Sequence, residues 1–217
     1  MTRFDLSLYL VLDPGLCGER GRGLGMVETA RLAVAGGATL VQLRDKHGGT
    51  ARTVETGRAL KEALAGTHAK LIVNDDAEAA IAVGADGLHV GQNDLSIAEA
   101  RARIGPEAIL GLSVETPGQA AQVDPALVDY VGAGPVFATS TKPGHAPAVG
   151  FQGLAAMVAA SPVPAVAIGG LKAQHVGQAL ATGARGVAMV SAICGQPDPE
   201  AAARAIREEV SAVTISA

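Results

Sequence analysis

Asn74, Asp75 and Asp76 follow directly on the apolar run 71–73, whose β-branched Ile72 and Val73 suit a buried strand. A further carboxylate, Asp94, comes shortly after the strand-like run 87–90. Taken locally, Asp75 has two readings. In "DDAE" it stands three residues before Glu78, which is capping-box spacing, and Asp is a common residue at a helix start. Asp94 has no such duty, because Ser96 and Glu99 make a capping box for the helix that follows it. Two carboxylates at the ends of neighbouring strands suit a hard divalent cation such as Mg²⁺. That ion takes one or two protein carboxylates and completes its shell with water and phosphate oxygens. On this reading Asp75 and Asp94 are the metal ligands, and Asp76 serves the helix start.

Cations stand next to that pair. Arg44, Asp45 and Lys46 follow the run "LVQL". By themselves they would read as a solvated loop with a weak surface ion pair. In an extended segment, however, Arg44 and Lys46 point the same way, and cations beside Mg²⁺ describe a diphosphate pocket. The stretch "AGPVFATSTKPGHAPAVG" has no clear period and is long for a loop in a compact domain. It reads as a lid carrying Thr139, Ser140, Thr141 and Lys142, the alternative being a solubilising surface loop. "AIGG" and "AMVS" end two later strands with Gly169, Gly170, Val190 and Ser191. Tight turns also call for glycine, but such turns bind phosphate through backbone N–H groups. His89, inside "GLHVG", reads as a satisfied core histidine. No GxSxG elbow is present and neither Cys17 nor Cys194 has an evident base partner, so covalent nucleophilic catalysis has no support.

These residues must be carried by a repeating unit. "AVAGGATLVQLR", "AIAVGADGLHVG" and "ALATGARGVAMVS" each run from an alanine-rich helix end through glycine, suited to a left-handed C-cap, into a strand. Apolar strand candidates fall at 8–12, 39–43, 70–73, 87–90, 109–112, 128–132, 164–168 and 186–190, with helical patterns in most of the gaps. Eight strands alternating with helices predict an α/β protein, a single (β/α)₈ TIM barrel over residues 1–217. A doubly wound open sheet competes, but "LDPGLCGERGRGLG" lacks a following helix at the spacing its glycine fingerprint requires. In a barrel the carboxyl ends of the strands share one face. That face would gather Asp13, Gln42, Arg44, Lys46, Asn74, Asp75, His89, Asp94, Ser113, the lid and the two later turns.

Composition narrows the partners. The chain has 48% hydrophobic and 18% charged residues, with 17 Lys and Arg against 21 Asp and Glu and a formal net charge of −4. No basic run is available to track a nucleic acid. The first apolar stretch is too short for a membrane span and lacks a small-residue cleavage site, so a cytoplasmic protein is expected. Cys17 and Cys194 are far apart in sequence and outside any CxxC or Cys/His cluster, which predicts two unremarkable thiols rather than a disulfide framework or zinc site. Oligomeric state is left open, a homo-oligomer included.

The motifs "VQLRDK", "NDD", "GLHVGQND", "GLSVET", "GPVFATSTK", "AIGG" and "VAMVSAI", in this order, resemble the thiamine phosphate synthase family over residues 9–193. The resemblance implies a barrel that joins a hydroxymethylpyrimidine diphosphate to a thiazole phosphate, releasing diphosphate with Mg²⁺ bound. It further implies that Gln42, Arg44, Lys46, Asn74, Ser113 and Lys142 hold the pyrimidine diphosphate, Arg44, Lys46, Ser113 and Lys142 serving the chemistry. Asp75 and Asp94 would bind Mg²⁺. Thr139, Ser140, Thr141, Gly170 and the backbone at Val190 and Ser191 would meet the thiazole phosphate. Two positions depart from the family pattern: Ala138 stands where proline is expected, and Leu12 where threonine commonly precedes the Asp. Both departures predict looser loop packing without loss of a charged group. A related tautomerase family is similar too, but carries histidine where this chain has Pro135.

Overall fold

The computed structural model describes residues 4–19, 23–139, 141 and 147–215. Eight strands close a parallel barrel in chain order: β1 (Leu8–Leu12), β2 (Leu40–Leu43), β3 (Lys70–Asn74), β4 (Gly87–Val90), β5 (Ile109–Val114), β6 (Tyr130–Ala133), β7 (Ala165–Ile168) and β8 (Gly186–Met189), with β8 pairing back onto β1. Between and after them run α1 (Gly25–Ala35), α2 (Gly49–Ala63), α3 (Ala77–Val83), α4 (Ile97–Ile104), α5 (Pro117–Ala121), α6 (Gly150–Ala160), α7 (Val176–Ala181) and α8 (Pro199–Ile215). The (β/α)₈ expectation holds. Helix starts at α3, α4 and α5 are capped by Asp76, Ser96 and Thr116, each accepting a backbone N–H three residues on. The glycines of the three repeated segments adopt positive φ at Gly37, Gly84 and Gly183, each just past a helix end.

Strand alternation separates two apolar layers. Leu8, Leu10 and Leu12 of β1 belong to the large cluster that includes helix residues such as Ala30, Leu60, Leu154 and Met157. Tyr9 and Val11, pointing the other way, join Leu40, Ile72, Ile109, Tyr130, Val166 and Ala188 in a smaller cluster, the barrel interior. Leu12 is therefore fully buried against the helices. Acidic residues preceding two strands seal the lower rim. Asp86 accepts Leu71 N–H at 2.9 Å, and Asp129 accepts Leu110 N–H at 2.8 Å and Arg101 at 2.7 Å.

Barrel closure brings together what the sequence separates. Cys17, in the turn Gly15–Glu19 after β1, and Cys194, in the turn after β8, are buried free thiols that hydrogen-bond to each other. They were expected to be unremarkable because no spacing signal links them; their contact comes from β8 pairing with β1. Asp13 turns into the same region, its carboxylate accepting Leu16 N–H at 2.9 Å. Among the described residues no helix is long and apolar enough to cross a membrane.

Candidate active site

The end of β3 is built around one unusual residue. Asp75 has φ 62°, the only positive φ at a non-glycine among the described residues. Its N–H is fixed to His89 O on β4 at 2.8 Å, and Asp76 N–H closes a three-residue turn onto Asn74 O at 2.7 Å. Asp76 then caps α3 through Ala79 N–H at 2.8 Å. The capping box of Asp75 with Glu78 that local spacing allowed is not formed; the cap is one residue later, and Asp75 is released from that duty. Its carboxyl faces Lys46, with which it pairs, and hydrogen-bonds with Asp94 from the loop after β4. Burial pushes the Asp75 pKa up, the Asp94 carboxylate adds to the rise, and Lys46 opposes it. Asp94 also accepts Gly91 N–H at 2.9 Å, which holds the loop after β4.

Alternation along the segment after β2 is visible in the contacts. Arg44 and Lys46 line the cavity at the barrel mouth, while Asp45 turns away to Arg52, 3.4 Å distant, and to His47 N–H at 3.1 Å. Arg44 reaches across to Thr141 O at 3.5 Å, spanning from β2 to the segment after β6. Thr139 and Thr141 hydroxyls are 2.8 Å apart. Ser140 and Lys142, expected in the lid, lie outside the described residues.

Across the mouth, the segment after β6 is tied to the turn after β7. Val136 N–H bonds Ile168 O and Phe137 N–H bonds Gly169 O, both at 2.9 Å. At Gly170, φ 64°, a Cβ would come within 2.8 Å of Ala138 O and Phe137 Cβ, so glycine is required there by conformation and by space. Val190 and Ser191 begin the turn after β8, whose N–H groups at Ile193 and Cys194 bond back to Val190 O. Gln42, Arg44, Lys46, Asn74, Asp75, Asp94, Ser113, Thr139, Thr141, Gly170, Val190 and Ser191 thus all line one cavity at the carboxyl ends of the strands. Pro135 lines it as well, whereas Ala138 and Leu12 do not.

The sequence reading missed the floor of this cavity. Gln42 Nε2 donates to Tyr9 Oη at 2.7 Å, Tyr9 and Tyr130 hydroxyls are 2.8 Å apart, Tyr130 Oη is 2.9 Å from His89 Nδ1, and His89 Nε2 is 2.9 Å from Ser113 Oγ. His89 is a satisfied core histidine, as expected, but its partners could not be named. The available signal was that the chain has only 2 tyrosines, each inside an apolar strand run where a hydroxyl needs a partner. Burial pushes both phenols far above their ordinary range, so both stay neutral.

Comparison with known proteins gives the family and the fold. The family model described as thiamine monophosphate synthase matches residues 8–193. The chain is 48% identical over 201 residues to the thiamine-phosphate synthase of Laribacter hongkongensis, covering 92% of this chain and 93% of that one. It is 48% identical over 209 residues to that of Xanthobacter autotrophicus, covering 96% and 97%. A solved thiamine phosphate pyrophosphorylase from Pyrococcus furiosus superposes with a TM-score of 0.85 at 34% identity, over 96% of each chain. A 3-hexulose-6-phosphate synthase, at 19% identity and TM-score 0.68, shares the fold alone. With a closed barrel, a cavity at its carboxyl face that carries Arg44, Lys46, Asp75 and Asp94, and relatives that match almost end to end, the chain belongs to the thiamine monophosphate synthase family of transferases.

Proposed function

We propose that the chain condenses 4-amino-2-methyl-5-(diphosphooxymethyl)pyrimidine with 4-methyl-5-(2-phosphoethyl)thiazole to give thiamine phosphate and diphosphate, by a dissociative, Mg²⁺-assisted route. The observation that carries this reading is the division of one cavity into two walls. The ends of β2, β3 and β4 present Arg44, Lys46, Asp75 and Asp94, and the ends of β7 and β8 present Gly170, Val190 and Ser191. Two anionic groups, a diphosphate and a phosphate, fit the two walls.

Asp75 and Asp94 suit a divalent cation. Two carboxylates in hydrogen-bonding contact, one of them with its pKa raised by burial, form a charge arrangement that such an ion relieves. Among the described residues no group of three or more His, Cys, Asp or Glu side chains is placed to hold a metal, so water and phosphate oxygens would complete the shell, as Mg²⁺ prefers. When bound, Mg²⁺ would neutralise the diphosphate oxygens. Arg44, Lys46 and Lys142 take up the charge that develops on the leaving oxygen while the C–O bond breaks and its electron pair goes to diphosphate. The electron-rich aminopyrimidine spreads the resulting positive charge at its methylene carbon. The thiazole nitrogen, aimed by the phosphate held at Gly170, Val190 and Ser191, then supplies the electron pair for the new C–N bond. No strong base is needed, and the rate advantage comes from positioning and charge stabilisation. Thr139, Ser140 and Thr141 would close over the thiazole phosphate and keep water from the cation. Incubation with both heterocycles and Mg²⁺ should yield thiamine phosphate and one equivalent of diphosphate. Absence of product with any divalent cation would overturn the reading.

A further inference from the structure

The hydrogen-bonded line on the cavity floor has a direction. Gln42 contributes its amide nitrogen, which can only donate, so Tyr9 Oη accepts. Tyr9 Oη carries one hydrogen and is fully enclosed; the acceptor that satisfies it is Tyr130 Oη at 2.8 Å. Tyr130, also fully enclosed, passes its own hydrogen to His89 Nδ1 at 2.9 Å. The imidazole then carries its hydrogen on Nε2 and donates it to Ser113 Oγ at 2.9 Å. The hydroxyl hydrogen of Ser113 is thereby left to point into the cavity that Ser113 lines.

The barrel interior is cut to fit this line. His89, Gly111 and Tyr130 stand in register across β4, β5 and β6. A Cβ at Gly111 would fall 2.3 Å from Tyr130 Cζ and 2.4 Å from His89 Nδ1, so any side chain there would break the contact. The ring of Tyr130 is further held edge-on by Tyr9 at 5.9 Å and by Phe4 at 5.8 Å between centroids. Both phenols remain neutral because burial raises their pKa values, so each keeps one hydrogen to give to the line.

We propose that His89 and Tyr130 are positioning residues, which hold His89 in the Nε2–H tautomer and so present the Ser113 hydroxyl to the pyrimidine diphosphate as a hydrogen-bond donor. The proposal rests on the reading of the cavity as a pyrimidine diphosphate site. Tyr130 does not line the cavity, and His89 lines it between Gln42 and Ser113, the two ends of the line.

The tautomer can be read in the intact, ligand-free protein by long-range ¹⁵N–¹H correlation of the histidine rings, with His89 assigned by its loss in His89→Gln. The wild-type ring should show the Nε2–H pattern, and Tyr130→Phe should convert it to a mixture. The Nδ1–H pattern in the wild type would mean that the line runs the other way, from Ser113 towards a Gln42 carbonyl, and would overturn the proposal without any variant being needed. In turnover, Tyr130→Phe should raise KM for the pyrimidine diphosphate about tenfold, the effect of one hydrogen bond, and leave KM for the thiazole phosphate unchanged. In a Ser113→Ala background the same substitution should add nothing further. Equal effects on both substrates, or full additivity with Ser113→Ala, would contradict a role through Ser113. Should the wild type make no thiamine phosphate, the functional reading fails, while the ring tautomer still decides the direction of the line.

Discussion

At Asp75 two unfavourable features coincide: a left-handed φ of 62° on a residue with a side chain, and a carboxyl whose ionisation is opposed by burial and by Asp94. Strain kept at one residue is the mark of a position selected for something other than stability. Asp75→Asn tests this, because Asn tolerates the left-handed region and removes only the charge. The sign is fixed by the direction of the shift. A carboxyl with a raised folded-state pKa favours folding below its unfolded-state value, about 3.9, and that contribution is lost as pH rises through the folded-state value. Metal-free Asp75→Asn should therefore melt higher than the wild type at pH 7. The net rise already contains the opposing pull of Lys46, so the pairing lost with the charge does not reverse the sign. The difference should vanish as pH falls towards 4, and thermal melts across that range check it; a variant that melts lower at pH 7 would contradict the account. Asp94→Ala should lower kcat/KM by more than about 100-fold, beyond what a residue supporting a ligand costs. It should lower stability by only about 1 kcal/mol, for the lost bond to Gly91 N–H. A collapse in melting temperature with activity retained would make Asp94 a structural residue.

At the scale of elements, the strands were legible because apolar alternation and glycine punctuation are local signals. Boundaries differed where a polar residue does edge work: the run read as 128–132 pairs from Tyr130, since Asp129 spends its carboxylate on Leu110 N–H and Arg101. The cap of α3 was narrowed to two adjacent carboxylates, and only the backbone at Asp75 separates them. The line from Gln42 through Tyr9, Tyr130 and His89 to Ser113 was illegible because it draws on five strands, which no single run encodes. Glycine at 170 was read as turn chemistry or phosphate binding, and the close approach of Phe137 and Ala138 adds a third demand. Gly170→Ala should cost about 1–3 kcal/mol through strain and overpacking. It should raise KM for the thiazole phosphate at least fivefold with little change for the pyrimidine diphosphate. Steady-state kinetics with each substrate varied in turn decide this; a selective loss of the pyrimidine diphosphate would place the two anions on the wrong walls.

Over the whole molecule, parallel closure explains why so much of the site could be listed in advance. Residues from seven strand ends that are remote in sequence share one face by topology, and twelve of the expected site positions line the same cavity. Closure also made the contact least visible in sequence, between Cys17 and Cys194. Because each anion wall joins the ends of several strands, a ligand held on one wall should stabilise the barrel as a unit. Mg²⁺ with diphosphate at about 100 times its dissociation constant should add about 2.7 kcal/mol, a rise of roughly 5–10 °C in melting temperature for a chain of this size. Adding a chelator should remove that rise, and a rise unaffected by chelation would separate diphosphate binding from the metal. The central claim, two anion sites flanking a paired-carboxylate metal centre, is tested most directly by a crystal structure with Mg²⁺, diphosphate and the thiazole phosphate bound together. The ion should lie between Asp75 and Asp94 with diphosphate on Arg44, Lys46 and Lys142, and the thiazole phosphate should sit on Gly170 and the backbone at Val190 and Ser191. An ion bound elsewhere, or both anions on the same wall, would contradict the account.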